Sequence, residues 1–363
     1  VTKNAEGSTL SARTPNSAFD AASDTGQRRR FFWQRHLNKL RWLTLTVVFV
    51  SLIILPVISV YQNFLAAHAY DLLAPADKAL YDVVDAAVTP FIDNPEEDLD
   101  AIKGTTWSAN FWGYQISDPL AAAGQSAASV SLYWPMLASA LLPVLVTVLF
   151  GRIFCGWICP ATLLYELNTN LTLLLERAGA KVGKRRFDRR IKYAVLGLGL
   201  LLSMATGAVL FALIYPPAII GRELYYVIAL GSFGSGAVFF VFTLLFDLLV
   251  ARRGFCRYLC PGGALYSLLG RFRLLRIQRR VQPCNDCARC NAVCEFGLDP
   301  MRDGFGQECN NCTACIAACP VDALVLGWQR KDQAEQGPGH QSRSYRHHKD
   351  VIASTQVGCD TTS

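Results

Sequence analysis

Long apolar runs constrain the folding of this chain more than any other feature. Four stretches, residues 42–61, 133–150, about 193–215 and about 224–250, are dominated by Leu, Val, Ile, Ala and Phe, with no Lys or Arg at their centres. A bilayer hydrocarbon core about 30 Å thick is crossed by about 20 helical residues. Inside it a helix satisfies its own backbone hydrogen bonds, which an isolated strand cannot do. Hydrophobic residues make up 52% of the chain, too many in runs for the alternating pattern of a soluble enzyme. The sequence therefore predicts a mainly α, polytopic membrane protein with four transmembrane helices, bent locally at Pro56 and Pro143.

Charge predicts the orientation. Arg28, Arg29, Arg30, Arg35, Lys39 and Arg41 precede the first run, and Lys181, Lys184, Arg185, Arg186, Arg189, Arg190 and Lys192 separate the second from the third. Arg252, Arg253 and Arg257 follow the fourth. Residues 62–131 instead carry Asp71, Asp77, Asp82, Asp85, Asp93, Glu96, Glu97, Asp98 and Asp100 against Lys78 and Lys103. By the positive-inside rule the basic segments stay cytoplasmic and the acidic loop is exported to the periplasm. The net charge of +7 is thus a topological signal and not a nucleic-acid patch, because the basic residues hug the ends of the runs. "RRRFFW" with Ala67 and Ala69 downstream also resembles a twin-arginine leader, but the run is as long as a full span and three more follow it. Residues 1–40 read as a disordered, basic cytoplasmic lead and residues 329–363 as a disordered tail. That tail carries His340, His347, His348 and Cys359, too sparse a set to read as a metal site.

Twelve of the thirteen cysteines fall into two kinds of cluster. "CNDCARCNAVCE" spaces Cys284, Cys287, Cys290 and Cys294 as C-x2-C-x2-C-x3-C, and "CNNCTACIAACP" repeats this with Cys309, Cys312, Cys315 and Cys319. This is the bacterial two-cluster ferredoxin signature, in which three close thiolates wrap a cubane and the fourth is exchanged between motifs. The expected ligand sets are Cys284, Cys287, Cys290 and Cys319 for one [4Fe–4S] cluster, and Cys309, Cys312, Cys315 and Cys294 for the other. Zinc sites favour two CxxC pairs across a longer loop, and disulfide frameworks suit small secreted chains. Residues 281–328 thus read as a small α+β ferredoxin-like domain behind a membrane domain over residues 41–270. The second kind of cluster is "FCGWICP" with Cys155 and Cys159, and "FCRYLCP" with Cys256 and Cys260. Each pair is spaced i, i+4, which puts both sulfurs on one helix face. Matching pairs past the second and fourth runs suggest a duplicated unit whose four thiols meet at a shared metal or redox site. Buried structural thiols and acylation targets are the other readings.

The order of four runs, two CxxxCP motifs and terminal ferredoxin motifs resembles the NapH-type membrane quinol dehydrogenase and polyferredoxin family. "ISDPLAA", "GSFGSGAVFFVFTLLFDLLV" and "CPGGALYSLLG" strengthen the likeness, which covers roughly residues 41–327. It extends, in less detail, to the nitrous-oxide-reductase accessory protein, the methylamine-utilisation ferredoxin-type proteins and a copper-reducing assembly factor. The resemblance implies a bacterial inner-membrane protein that oxidises quinol and passes electrons to an iron–sulfur or cytochrome partner of a periplasmic respiratory reductase. A quinol site needs an apolar slot with a proton-accepting group. The sequence offers His68 and Asp118, with Trp107, Phe111, Trp112 and Tyr114 as walls. Asp118 reads equally as a turn residue before Pro119, Asp247 as a helix-end carboxylate near Arg252 or a proton relay, and Gly231, Gly234 and Gly236 as small residues for close packing. Glu295 stands where a proline often follows the fourth ligand, which predicts a wetter Cys294 than Cys319. Two other functions are consistent with the same motifs: a metal reductase or metalloenzyme maturation factor using the four CxxxCP thiols, and a redox-sensing regulator. No nucleotide loop, flavin motif, c-type haem CxxCH or Ser/His/Asp arrangement occurs.

Overall fold

The computed structural model describes residues 17–68, 70–72, 75–90, 92, 102–104, 108–111, 114–179, 185, 187–280 and 284–328. The tail with His340, His347, His348 and Cys359 lies outside the described residues. Helix α1 (Ser17–Ala66) carries the first apolar run. The lead expected to be disordered over residues 1–40 is therefore helical from Ser17, since extending a helix already nucleated in the apolar run adds one hydrogen bond per residue fixed. Next come α2 (Pro75–Val88) and an antiparallel sheet of β1 (Ile102–Gly104), β2 (Ser108–Phe111) and β3 (Tyr114–Ser117).

The remainder of the bundle is one motif used twice. In the first copy α3 (Pro119–Ser129) and α4 (Trp134–Phe150) lead through a π-helical turn at Phe154–Ile158 into α5 (Pro160–Arg177). Helix α6 (Ile191–Thr206) joins it to the second copy, α7 (Pro216–Leu230), α8 (Ser235–Leu249), a π-helical turn at Phe255–Leu259 and α9 (Pro261–Leu269). The leading helix of each copy starts on a proline preceded by an extended residue, Asp118 (ψ 132°) and Tyr215 (ψ 112°). Proline imposes that conformation on its predecessor and is preorganised for the first helical position. Each leading helix stops at a left-handed residue, Val130 (φ 47°) and Gly231 (φ 63°).

Two expected spans are corrected by this arrangement. The third run stops being helical at Thr206, where Gly207 turns left-handed (φ 68°). The fourth is two helices, α7 and α8, separated by the Gly231–Gly234 turn. Both breaks fall where glycine interrupts the apolar run, after Thr206 at Gly207 and in the Gly-Ser-rich stretch 231–236. Among the described residues one helix, His36–Ala66, is long and apolar enough to cross a membrane; Trp134–Phe150, Ile191–Thr206 and Ser235–Leu249 are apolar but shorter. At 1.5 Å per residue the 17 residues of α4 reach about 25 Å.

The bundle is apolar outside and buries polar side chains beside an apolar core. Val47, Ile54, Leu141, Leu145, Leu198, Leu201, Val238 and Phe242 are exposed, while Thr147, Thr172, Lys192, Ser203 and Thr243 are buried. Water would reverse that distribution, so the outer face is built for lipid. Inside, α6 packs against α3 and α9, and α8 against α5 and α7. Phe211, Tyr215, Tyr165, Leu120 and Phe255 form the core there. Beyond α9, β4 (Leu275–Arg279) pairs antiparallel with β5 (Leu324–Trp328), Leu275 opposite Trp328 and Arg279 opposite Leu324. This ribbon brackets both ferredoxin motifs around a second core of Ile277, Phe305, Ile316 and Leu324.

Candidate metal centres

The two CxxxCP pairs come together. Cys155, Cys159, Cys256 and Cys260 line one cavity with Arg152, Tyr215 and Phe296. Each pair is wound as a π turn closed by an i→i+5 hydrogen bond, Cys159 N to Phe154 O at 2.8 Å and Cys260 N to Phe255 O at 2.9 Å. The following prolines hold Cys159 and Cys260 extended (ψ 117° and 116°) and start α5 and α9 immediately. Cys260 Sγ accepts from Gly263 N at 3.3 Å, so its sulfur caps the N-terminus of α9. Burial nonetheless pushes the Cys260 thiol up to about 12 and the Cys256 thiol well above its ordinary range. Burial also raises Cys155, against the opposing charge of Arg152. An all-sulfur, desolvated donor set of this kind suits a soft metal or an iron–sulfur group, which binds the thiolate and displaces the proton.

Cys284, Cys287, Cys290 and Cys319 line one cavity between the motifs. Cys309 and Cys315 lie near one another and near Cys294, and Cys315 lies near Cys312 and Cys290 as well. The two sets differ in exposure: Cys287 is exposed, whereas Cys309 and Cys315 are buried. Cys294 is half-buried and Cys319 buried. Among the described residues no three His, Cys, Asp or Glu side chains converge as one bound ion requires. Four sulfurs lining one cavity, as in the Cys284 set, are the donor number and type that a cubane takes.

The buried set faces the bundle, and the contacts between them are charged. Arg152 Nη1 donates to Glu308 Oε2 at 2.7 Å, and Lys192 of α6 pairs with the same oxygen. Tyr193 donates to Glu308 Oε1 at 2.9 Å. Burial alone would raise the Glu308 carboxyl, but Arg152 and Lys192 hold it below the usual carboxylate range. In the other repeat Arg253 Nη2 reaches Glu295 Oε2 at 2.5 Å and Glu166 Oε1 at 3.0 Å, and Arg41 of α1 also pairs with Glu166. Each arginine stands three residues before the first cysteine of its CxxxCP pair, and each glutamate is adjacent to a cysteine of the buried ferredoxin set, Cys309 or Cys294. Trp157, inside the first pair, donates Nε1–H to Asn311 O at 3.0 Å, and Arg273 donates to Cys309 O at 2.9 Å. Gly156 is required here, because a Cβ would come within 2.5 Å of Asn310 O. Phe296, two residues after Cys294, closes the thiol cavity under the Arg152 guanidinium, 5.5 Å from its ring.

Sequence reading missed this lock. It treated Arg253 as a topological charge and used Glu295 only to expect a wetter Cys294 than Cys319, which the exposures bear out, without showing that Glu295 is an ion-pair partner. The signal was present as Arg-x-x-Cys in both repeats, but its partners lie far along the chain.

The expected quinol residues do not share one setting. His68 is exposed in the turn after α1, at φ 49°. Asp118 is buried as the N-cap of α3, accepting from Leu120 N at 2.7 Å, Tyr215 OH at 2.9 Å and Tyr266 OH at 3.1 Å. Tyr215 lines the thiol cavity, so Asp118 belongs to the support of that cavity. Tyr114 is 79% exposed, while Trp107, Trp112 and the side chain of Phe111 lie outside the described residues. Asp247 accepts from Phe255 N at 2.7 Å and so anchors the start of the second π turn, the helix-end role.

A family model described as a 4Fe-4S binding domain matches residues 132–175 and 233–280, each stretch holding one CxxxCP pair. The methylamine utilization ferredoxin-type protein MauN of Methylorubrum extorquens is 33% identical over 215 residues, 57% of this chain and 70% of that protein. MauN of Paracoccus denitrificans is 30% identical over 265 residues, 70% of this chain and 83% of that protein. The ferredoxin-type protein NapH of Escherichia coli is 34% identical over 192 residues, covering 49% and 60% respectively. No solved structure matches. With the paired thiol motifs, the lipid-facing bundle and these relatives in agreement, the chain belongs to the ferredoxin-type membrane protein family that includes MauN and NapH.

Proposed function

We propose that this protein is a quinol-oxidising electron-transfer subunit of the bacterial inner membrane, serving an iron–sulfur or cytochrome partner of a periplasmic respiratory reductase. The observation that carries this reading is the charged lock joining the buried ferredoxin cysteines to the thiol cavity of a lipid-facing bundle. Two [4Fe–4S] cubanes, on Cys284, Cys287, Cys290 and Cys319 and on Cys309, Cys312, Cys315 and Cys294, would supply one-electron storage at two distances from the membrane. Arg152, Arg253 and Trp157 fix the inner set against the bundle, and the exposed Cys287 end remains open to a partner protein. Cys155, Cys159, Cys256 and Cys260 form the redox or metal site between them. In this reading α1, α4, α6 and α8 cross the membrane with both ends and the ferredoxin loops cytoplasmic, and the sheet β1–β3 lies on the periplasmic side.

Purified protein should hold about eight irons with equal acid-labile sulfide, as two cubanes require, or more if the CxxxCP thiols hold a further cluster. A quinol analogue should reduce these clusters. Cys319→Ser should perturb the spectrum of the Cys284 set. Zinc in place of iron, or a response confined to the Cys309 set, would sink the assignment. A metal reductase or maturation factor is the second reading, favoured by the four buried sulfurs around one cavity. It requires copper or another soft metal to load onto that cavity and to be lost in Cys155→Ser.

A further inference from the structure

A second cavity, of about 280 Å³, opens where α1, α5, α7 and α8 meet. Its walls are apolar and partly aromatic, with Phe49, Leu164, Ile220, Phe233 and Phe240 among them, and its single carboxylate is Glu223. Phe233 and Val241 at its edge are 77% and 54% exposed, so the slot opens on the same outer surface that faces lipid. Glu223 itself is only 8% exposed. Its Oε2 accepts from Gly234 N at 2.6 Å, but Oε1 has no hydrogen-bond donor and only the Arg222 guanidinium 3.5 Å away. Gly236 makes room for this pair, since a Cβ there would come within 2.5 Å of Oε1.

These features define the ligand by its chemistry. The slot takes a flat, apolar group of ring size that arrives through lipid and brings a hydrogen-bond donor to a buried carboxylate oxygen. An acyl chain has no donor, and an ionised phosphodiester brings only acceptor oxygens to a carboxylate. A quinol ring has both the apolar face and the hydroxyl. The slot also stands beside the thiol cavity: Pro216 and Pro217 line that cavity, and Ile219 and Ile220, within the next turn of α7, line the slot. One turn of helix is about 5.4 Å.

We infer that this slot binds the ring of a membrane quinol, with a ring hydroxyl donating to Glu223 Oε1. The inference rests on the quinol-oxidising reading for the identity of the ligand and adds its place. The test uses the full chain in lipid nanodiscs, titrated calorimetrically with decylubiquinol and followed by absorbance of the clusters. Two variants are compared: Glu223→Gln, which keeps an acceptor for Gly234 N, and Val241→Trp, which crowds the slot from its exposed edge without disturbing the core. Both should weaken decylubiquinol binding at least tenfold, with iron content and dithionite reduction as in the wild type. Wild-type affinity in both variants, with quinol still reducing the clusters, would overturn the placement and leave the quinol reading standing. A fully iron-loaded wild type that neither binds decylubiquinol nor is reduced by it would overturn both.

Discussion

At the scale of single residues, the pairing that organises this protein is between arginines that precede thiol pairs and glutamates that flank ferredoxin cysteines. Glu308 is the sharpest case, because Arg152 and Lys192 are 1% and 0% exposed on their side chains and share it as counter-charge. Glu308→Met would leave two buried cations facing each other. Breaking a buried pair from one side costs about 3–5 kcal/mol, so thermal unfolding in detergent should move clearly downward. An unchanged transition would mean that the pair does not form in the folded protein. Gly156→Ala tests the same junction by volume. The added methyl meets the Asn310 carbonyl, and overpacking of this kind costs about 1–3 kcal/mol. Its signature should be a changed paramagnetic resonance line for the Cys309 set, with the Cys284 set unaffected.

At the scale of elements, the duplicated motif differs at one instructive position. Both leading helices end in a left-handed residue, but the second copy uses Gly231 and the first uses Val130. A β-branched residue is a genuine outlier in that conformation. Val130 is 72% exposed and packs little, so its side chain gives nothing back for the strain. Val130→Gly should therefore stabilise the protein by about 0.5–1 kcal/mol, the left-handed penalty less the greater freedom of glycine in the unfolded chain. A lowered melting temperature in that variant would show the turn to be held by contacts instead. The π turns obey a different logic: each is closed at its cysteine and followed at once by proline, so the second thiol of each pair is fixed at the start of a helix.

For the whole molecule, the decisive property is an apolar outer surface over an interior that also buries Thr, Ser and Lys. It explains how helices of 15 to 17 residues can serve in a membrane protein. The leading helices α3 and α7 pack beside them, and polar side chains within the bundle satisfy the backbone at the breaks. Topology reporters should read cytoplasmic near Lys184 and beyond Gly327, and periplasmic near Asp98. A periplasmic signal at Lys184 would put the thiol cavity and ferredoxin loops on the opposite side and remove the basis for a cytoplasmic partner.

The cysteine spacing was legible in the sequence because cluster-binding loops are local: three donors lie within a few residues, and only the fourth must be brought from the other motif. The repeat of CxxxCP was legible for the same reason, and so was the membrane setting, which needs only composition over a window. The ends of the third and fourth runs were not legible. Gly207 follows Thr206 and Gly231 opens the Gly-Ser-rich stretch 231–236, but membrane helices tolerate glycine, so whether the chain turned there depended on what α6 and α7 pack against. The lock could not be read either, since Arg152 and Glu308 are 156 residues apart and neither carries a local sign of the other. The same holds for Glu223, a single acidic residue in an apolar stretch until α1, α5 and α8 close around it. Local spacing thus determined which chemistry this chain can hold, and tertiary packing decided which of those groups face one another, because long-range pairing of buried charges exists only in the assembled bundle.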